Sequence, residues 1–120
     1  MSAWDIDRLL TLYHPEVEFL PLTGTRVESG GYHGHEGVRA YLAEARDLWD
    51  MLEPRGHHFE DLGDRVVVGG SCRFRGRASG AASSPACAWV IEVRDGLIVS
   101  HRTCPTLEEA QKLAGVERAG

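Results

Sequence analysis

The sequence lacks the long apolar segments that membrane insertion or export would require. No stretch of about eighteen apolar residues occurs, and residues 1–5 show neither a basic leader nor an apolar signal-peptide core. We therefore expect a cytoplasmic protein that does not enter a membrane.

Cysteine is also scarce, and neither the number nor the spacing of the cysteines suits a disulfide framework or a zinc site. The count is odd and no C-x-x-C pair occurs, which argues against a disulfide framework and a zinc knuckle. Histidine lacks metal-ligand spacing, because His33 and His35 lie at a glycine-rich turn while the neighbours His57 and His58 point to opposite sides of a strand. We predict reduced thiols, no metal and no cofactor. The three cysteines are Cys72, Cys87 and Cys104.

Positive charge is in the minority. The 13 Lys and Arg residues against 18 Asp and Glu give a net charge of −5, so we expect no nucleic-acid partner. The one dense basic run, Arg73, Arg75 and Arg77, alternates along a predicted strand and places three charges on one face. A solvated outer face explains this run, whereas an anion site would need converging donors from elsewhere in the chain.

The 120 residues fit a single domain, residues 1–120, that opens with a short helix and contains one long helix. Ile6, Leu9, Leu10 and Tyr13 recur at helical spacing. A stronger helical pattern begins at residue 35 and continues to residue 52, before Pro54.

The rest of the chain alternates as strands do. Asp95 and Gly96 separate two such segments and indicate a type I′ hairpin, and Thr106 with Glu109 forms a capping box for a last helix that Gly115 would end. The predicted strands span residues 16–19, 57–62, 65–78, 86–94 and 97–104.

Five short sequence motifs identify the fold more specifically than the order of the predicted helices and strands does. They include Leu12-Tyr13-His14-Pro15, Gly34-His35-Glu36-Gly37 and Arg94-Asp95-Gly96, together with residues 62–68 and the Glu-Ala pair at 109–110. In this order the segments closely resemble the SnoaL-like family of the nuclear transport factor 2-like superfamily, and the resemblance covers nearly the whole chain.

The resemblance implies an α+β fold in which a strongly curved antiparallel sheet wraps the long helix into a cone with an internal pocket. It also implies a homodimer through the outer sheet face. The family includes polyketide cyclases, ketosteroid isomerases, dehydratases, epoxide hydrolases and binding domains, so the fold alone does not decide the function.

Two acids that catalytic relatives carry are missing. The position at the end of the first strand, where isomerases of the superfamily carry an acidic base, is occupied by Leu20, and the aspartate that often follows the last strand is replaced by Thr106. The sequence therefore provides no assured catalytic acid.

Counting back from a two-residue hairpin pairs Trp89 with Arg102 and Cys87 with Cys104. The bulkier apolar set, with Trp89, predicts that this face points inward, unless a bulged loop shifts the register. Arg102 would then stack on Trp89 and either anchor a ligand oxygen or form an ion pair with Glu36 or another acid of the long helix. The two cysteines would form a thiol pair or simply fill space.

His57 shares strand parity with Phe59 and is therefore predicted to face inward, as a general base or as a core histidine. The leading hypothesis is a domain that binds a small apolar or cyclic molecule. One alternative is a cyclase, isomerase or hydrolase with His57 and Arg102 as catalytic residues, and another is a protein-interaction module. The predicted ligand-binding residues are Tyr13, Phe19, Tyr41, Trp49, Cys87, Trp89 and Cys104.

Overall fold

The computed structural model describes residues 5–115, and this part of the chain confirms the predicted α+β class. No helix in that range is both long enough and apolar enough to cross a bilayer. The elements are α1 Ile6–Leu10, β1 Tyr13–Leu20, β2 Tyr32–His33, α2 Gly34–Leu48, β3 Trp49–Asp61, β4 Arg65–Gly76, β5 Ala82–Ser83, β6 Ala86–Arg94, β7 Leu97–Cys104 and α3 Leu107–Leu113.

The strands form one mixed sheet. Their order is β2-β1-β7-β6-β4-β3, and β5 pairs with β4 beside this path. The prediction of a purely antiparallel sheet is wrong at one place, because β1 and β7 run parallel. These two strands are far apart in sequence, so no hairpin fixes their relative direction.

The long helix is shorter than its apolar periodicity predicts. It ends at Leu48, and β3 begins at Trp49 and runs through Pro54. A strand can include this proline because β3 lies at the edge of the sheet, where one side of its backbone needs no partner. Similarly, α1 ends at Leu10 and Tyr13 begins β1.

Two faces of the sheet can be distinguished by the helix that packs on each. On the inner face, Phe19 of β1 contacts Tyr41 of α2, with ring centroids 5.1 Å apart. On the outer face, buried residues of three strands pack against the last helix and its end. These outer-face residues are Val67, Val90 and Cys104, and their partners are Ala110 and Ala114.

The hairpin at the end of β6 has the predicted turn but not the predicted register beyond it. Asp95 and Gly96 both have positive φ, 53° and 79°, as a type I′ turn requires. Val93 pairs with Ile98 as expected, but the next partner of Glu92 is Ser100, so Val99 is an extra, unpaired residue. From this bulge onward, every residue of β7 pairs one position away from the prediction.

The cap of α3 allows a direct test of the fold. The Thr106 side chain accepts a hydrogen bond from the backbone N–H of Glu109 at 3.1 Å. We expect Thr106→Ala to lower the free energy of unfolding by about 1 kcal/mol, because one N–H at the helix start loses its partner. Urea denaturation measures this loss, and Thr106→Ser, which keeps the hydroxyl, is the matched control. Equal stability of the alanine variant and the wild type would contradict the cap.

Candidate functional site

A row of neighbouring aromatic rings, the ring chain, crosses the inner face between the sheet and α2. The Tyr13 hydroxyl lies 2.7 Å from His101 Nδ1, and the His101 ring is 4.9 Å from that of Phe19. Phe19 contacts Tyr41, whose ring centroid is 5.4 Å from that of Tyr32. Phe19 and His101 are register partners in β1 and β7, so sheet pairing positions the centre of the ring chain.

Burial keeps the Tyr13 and His101 pair uncharged. Desolvation lowers the pKa of His101 from 6.5 to about 4, because a charged imidazole would be poorly solvated among aromatic rings. Desolvation also raises the pKa of Tyr13 well above 10. At neutral pH the imidazole is therefore neutral, and its Nδ1 is occupied by the Tyr13 hydroxyl.

Three polar atoms on the inner face have no partner in the described chain. They are His101 Nε2, the Tyr41 hydroxyl and the Trp89 indole N–H, and none makes a hydrogen bond within residues 5–115. Yet no side-chain nitrogen or oxygen in that range is both sealed from solvent and unpaired. Each of the three atoms therefore touches accessible space, although Trp89 as a whole is only 8% exposed.

Trp89 belongs to a second apolar cluster on the inner face, in which Val68 and Cys87 are also buried and Cys72 packs against them. Desolvation raises the pKa of Cys72 to about 11 and also raises that of Cys87. Both thiols are therefore protonated at neutral pH and are poor nucleophiles.

The predicted placement of Arg102 beside Trp89 is wrong. Arg102 pairs with Val90, is exposed and lies on the outer face, whereas Trp89 pairs with Thr103 on the inner face. The cause is the bulge at Val99, which shifts the register by one residue and exchanges the two faces. The alternative ion pair with Glu36 or another acid of α2 is not formed either, since Arg102 makes no ion pair within residues 5–115. The Glu36 carboxylate lies 3.3 Å from Arg26 instead.

His57 is also not on the inner face. It is the unpaired residue of a bulge between Gly56 and His58 in β3, so strand parity from Phe59 does not fix its direction. Its exposed side chain lines a groove with Arg55 and Arg73. His57 and Arg102 therefore do not meet at the inner site, and a mechanism that needs both at one point is not supported.

The cysteine pairing is wrong for the same reason as the Arg102 placement. Cys104 pairs with Ala88 and packs on the outer face, so it does not share a site with Cys87. Both are free thiols. Trp49 lies at the junction of α2 and β3, where its ring is 5.5 Å from that of Phe74. Tyr13, Phe19 and Tyr41 lie together on the inner face.

Sequence reasoning missed two residues. Regular pairing from the hairpin puts His101 on the outer face with Val90, and only the bulge places it on the inner face. The Glu44 carboxylate accepts hydrogen bonds from the Thr25 backbone N–H and the Tyr32 hydroxyl, both at 3.0 Å. These bonds, led by that of Thr25, hold the pKa of Glu44 below its usual value and fasten the loop before β2 to α2.

Two surface grooves are prominent, and neither lies over the inner face. The larger, about 480 Å³, is on the outer face and includes Arg73. The smaller, about 420 Å³, lies between Ala43 and Arg77 at the side of α2. We assign the candidate site to the inner face because unpaired polar atoms in an apolar surface fix the orientation of a ligand, whereas groove volume alone does not. Within residues 5–115 no three potential metal ligands cluster.

Residues 1–101 match the family model of the SnoaL-like domain. The chain belongs to the SnoaL-like family. Among curated proteins, none matches the chain significantly.

Solved structures share the fold of this SnoaL-like chain. An NTF2-like protein of unknown function from Burkholderia pseudomallei has 22% identity and a TM-score of 0.74, with 92% of this chain and 85% of that chain covered. TerC, co-crystallised with polyporic acid, has 23% identity and a TM-score of 0.73, with coverages of 93% and 87%. A SnoaL-like polyketide cyclase, so described for Shewanella putrefaciens, has 17% identity and a TM-score of 0.66, with coverages of 93% and 88%.

The lowered pKa of His101 predicts a loss of stability in mild acid. Between pH 6.5 and about 4, the unfolded chain binds a proton at this residue that the folded chain does not. The free energy of unfolding should therefore fall by about 3 kcal/mol as the pH drops through this window. Urea denaturation at several pH values measures this fall.

The pH dependence of the free energy of unfolding distinguishes the contribution of His101 from that of other histidines. His101→Gln should flatten the slope between pH 6.5 and 4 whatever its effect on stability at pH 7. His33→Gln, at an exposed position of β2, should keep the wild-type slope. If both variants retained the wild-type slope, His101 would not be the buried neutral group described here.

Proposed function

We propose that this SnoaL-like domain binds a small, flat, mostly apolar molecule on the inner face, between α2 and the sheet. One observation carries the proposal: an aromatic and apolar surface exposes three unpaired polar atoms, on His101, Tyr41 and Trp89. Ligand sites of small proteins typically combine apolar walls with a few such groups. Membership of the family supports the same interpretation.

The chemistry of the walls narrows the ligand class. The ring chain from Tyr13 to Tyr41 favours an aromatic or cyclic body. His101 is neutral at pH 7, and the Tyr41 hydroxyl stays protonated because burial raises its pKa to about 12. These groups can donate or accept hydrogen bonds but do not supply a full charge. A phenol, ketone or quinone oxygen therefore suits the site better than a carboxylate.

The polyporic acid bound to TerC is consistent with such a ligand, although the likeness to TerC concerns the fold alone. The homodimer through the outer sheet face also remains part of the proposal. Because α3 packs on Val67, Val90 and Cys104, a partner would have to use the strands beside this helix. A protein-interaction module is less well supported, since the unpaired polar atoms point to a small ligand.

A second candidate function is acid–base catalysis of the cyclase or isomerase type. The observation that favours it is the 2.7 Å hydrogen bond between the Tyr13 hydroxyl and His101 Nδ1. In the tautomer that this role requires, Nδ1–H donates to the Tyr13 oxygen, and the unprotonated Nε2 takes a proton from a substrate carbon beside a carbonyl group. His101 would thus replace His57 as the general base, and no arginine would take part.

Binding can be tested with 2-naphthol, a flat apolar probe with a single hydroxyl. We expect Tyr41→Phe to weaken its binding roughly fivefold, because one hydrogen bond of about 1 kcal/mol is lost while the ring is kept. Probe fluorescence during titration gives the affinity. Arg102→Gln is the control, since Arg102 lies on the other face. Weakening by Arg102→Gln, with no effect of Tyr41→Phe, would refute the inner-face site.

Catalysis can be separated from binding with 2-tetralone, a cyclic ketone with exchangeable protons next to its carbonyl. If His101 is a general base, the wild type should exchange these protons for deuterium at least about tenfold faster than His101→Gln, as measured by NMR. The exchange rate of Tyr13→Phe should lie between these two rates, because this variant keeps the imidazole but removes the hydrogen bond that orients it. Exchange at the buffer rate, with 2-naphthol still bound, would leave binding as the function.

A further inference from the structure

The larger surface groove, on the outer face, gathers donors that the sequence places far apart. It is a separate feature from the inner-face site, and its volume is about 480 Å³. Two arginines, a histidine and three serines line it, and no acidic residue is among the lining side chains of the described chain. These residues are Arg55, His57, Ser71, Arg73, Ser83 and Ser84, with Ala82 as the remaining contact.

Strand pairing explains why these residues converge. Arg55 of β3 is the register partner of Ser71 in β4, so the two share a face. Arg73 lies two residues further along β4 and therefore points the same way. On the other side of β4, Ser83 of β5 pairs with Phe74, which brings the serine segment alongside Arg73. The basic run of β4 thus meets donors from two neighbouring strands.

The bulge in β3 adds the histidine. An extra residue between Gly56 and His58 leaves His57 without a partner in β4, and its imidazole lines the groove. Bulges often redirect a side chain in this way beside functional sites. Counting from Arg55 along a regular strand puts His57 on the outer face, whereas counting back from Phe59 puts it on the inner face. The bulge resolves this conflict, because it lets Phe59 keep its pairing with Val68 while Arg55 keeps its pairing with Ser71.

The charge balance of the groove is positive, against the trend of the whole chain. The chain carries a net charge of −5, yet Arg73 makes no ion pair within residues 5–115. One acidic residue is close. Glu53 is the register partner of Arg73, and its Oε2 atom lies 3.5 Å from Nη2 of Arg55. Both members of the Glu53 and Arg55 pair are about half exposed, so this ion pair is weak and can open.

We propose that this groove binds the phosphate group of a small phosphate monoester. Guanidinium groups bind phosphate oxygens through charge-assisted hydrogen bonds, and serine hydroxyls can donate to the remaining oxygens. A phosphate presents more acceptor oxygens than a carboxylate and so uses more of these donors. A nucleic acid is a poorer fit, because the negative charge of the rest of the chain would repel a long polyanion.

Phenyl phosphate is the probe for the full chain, followed by amide shifts in NMR. We expect saturable shifts at Ser71, Ser83 and Ser84, and weaker shifts with benzoate at the same concentration. Arg73→Gln should weaken phenyl phosphate binding roughly tenfold, and Glu53→Gln should strengthen it about threefold, because a competing carboxylate is removed.

Arg94→Gln is the matched control, since it changes the net charge equally at an exposed position outside the groove. It should leave the affinity unchanged, as should Tyr41→Phe on the inner face. Equal weakening by Arg94→Gln and Arg73→Gln would mean that only overall charge attracts the probe, and would overturn the proposal. Shifts that do not saturate, or benzoate binding as tightly as phenyl phosphate, would overturn it as well.

Discussion

The bulge at Val99 is the constraint on which the geometry of the inner face depends. One unpaired residue in β7 brings His101 to the side of Phe19 and α2 and moves Arg102 to the side of α3. Strand side chains alternate with a period of two, so a single extra residue exchanges the two faces for the rest of the strand. The inner face consequently has a neutral imidazole at its centre where a regular hairpin would have placed a guanidinium.

That exchange also determines the electrostatics of the two faces. An arginine cannot lose its charge, so on the inner face it would have required a buried anion as partner. A histidine can become neutral instead, and burial among aromatic rings favours that form of His101. The apolar inner face is therefore compatible with stable folding and still retains a hydrogen-bonding group. Full charges such as those of Arg55 and Arg73 lie on the outer face, where water solvates them.

Much of the fold could be predicted because its signals are local. The I′ turn at Asp95 and Gly96, the Thr106 cap and the start of α2 each depend on a few adjacent residues, and all three are present. The end of α2 and the bulges depend instead on pairing between strands. Apolar residues near Trp49 fit helix and strand alike, and only pairing with β4 selects the strand. Nothing in the local sequence around residue 99 distinguishes a bulge from a regular pair.

The same reasoning explains why the fold was easier to predict than the site. A site consists of side chains that meet across elements, so one register error displaces all of them. Tyr13, Phe19 and Tyr41 lie together on the inner face because β1 and α2 present them there, although Tyr13 belongs to β1 and not to the helix that its spacing predicts. His57 and Arg102 were misplaced because each lies at or beyond a bulge. The Val99 bulge directs His101 to the ring chain, and the β3 bulge lets His57 line the basic groove while Phe59 keeps its pairing with Val68. Two irregular positions in the strands thus give one sheet two chemically different surfaces, one neutral and aromatic, the other cationic and rich in hydroxyl groups.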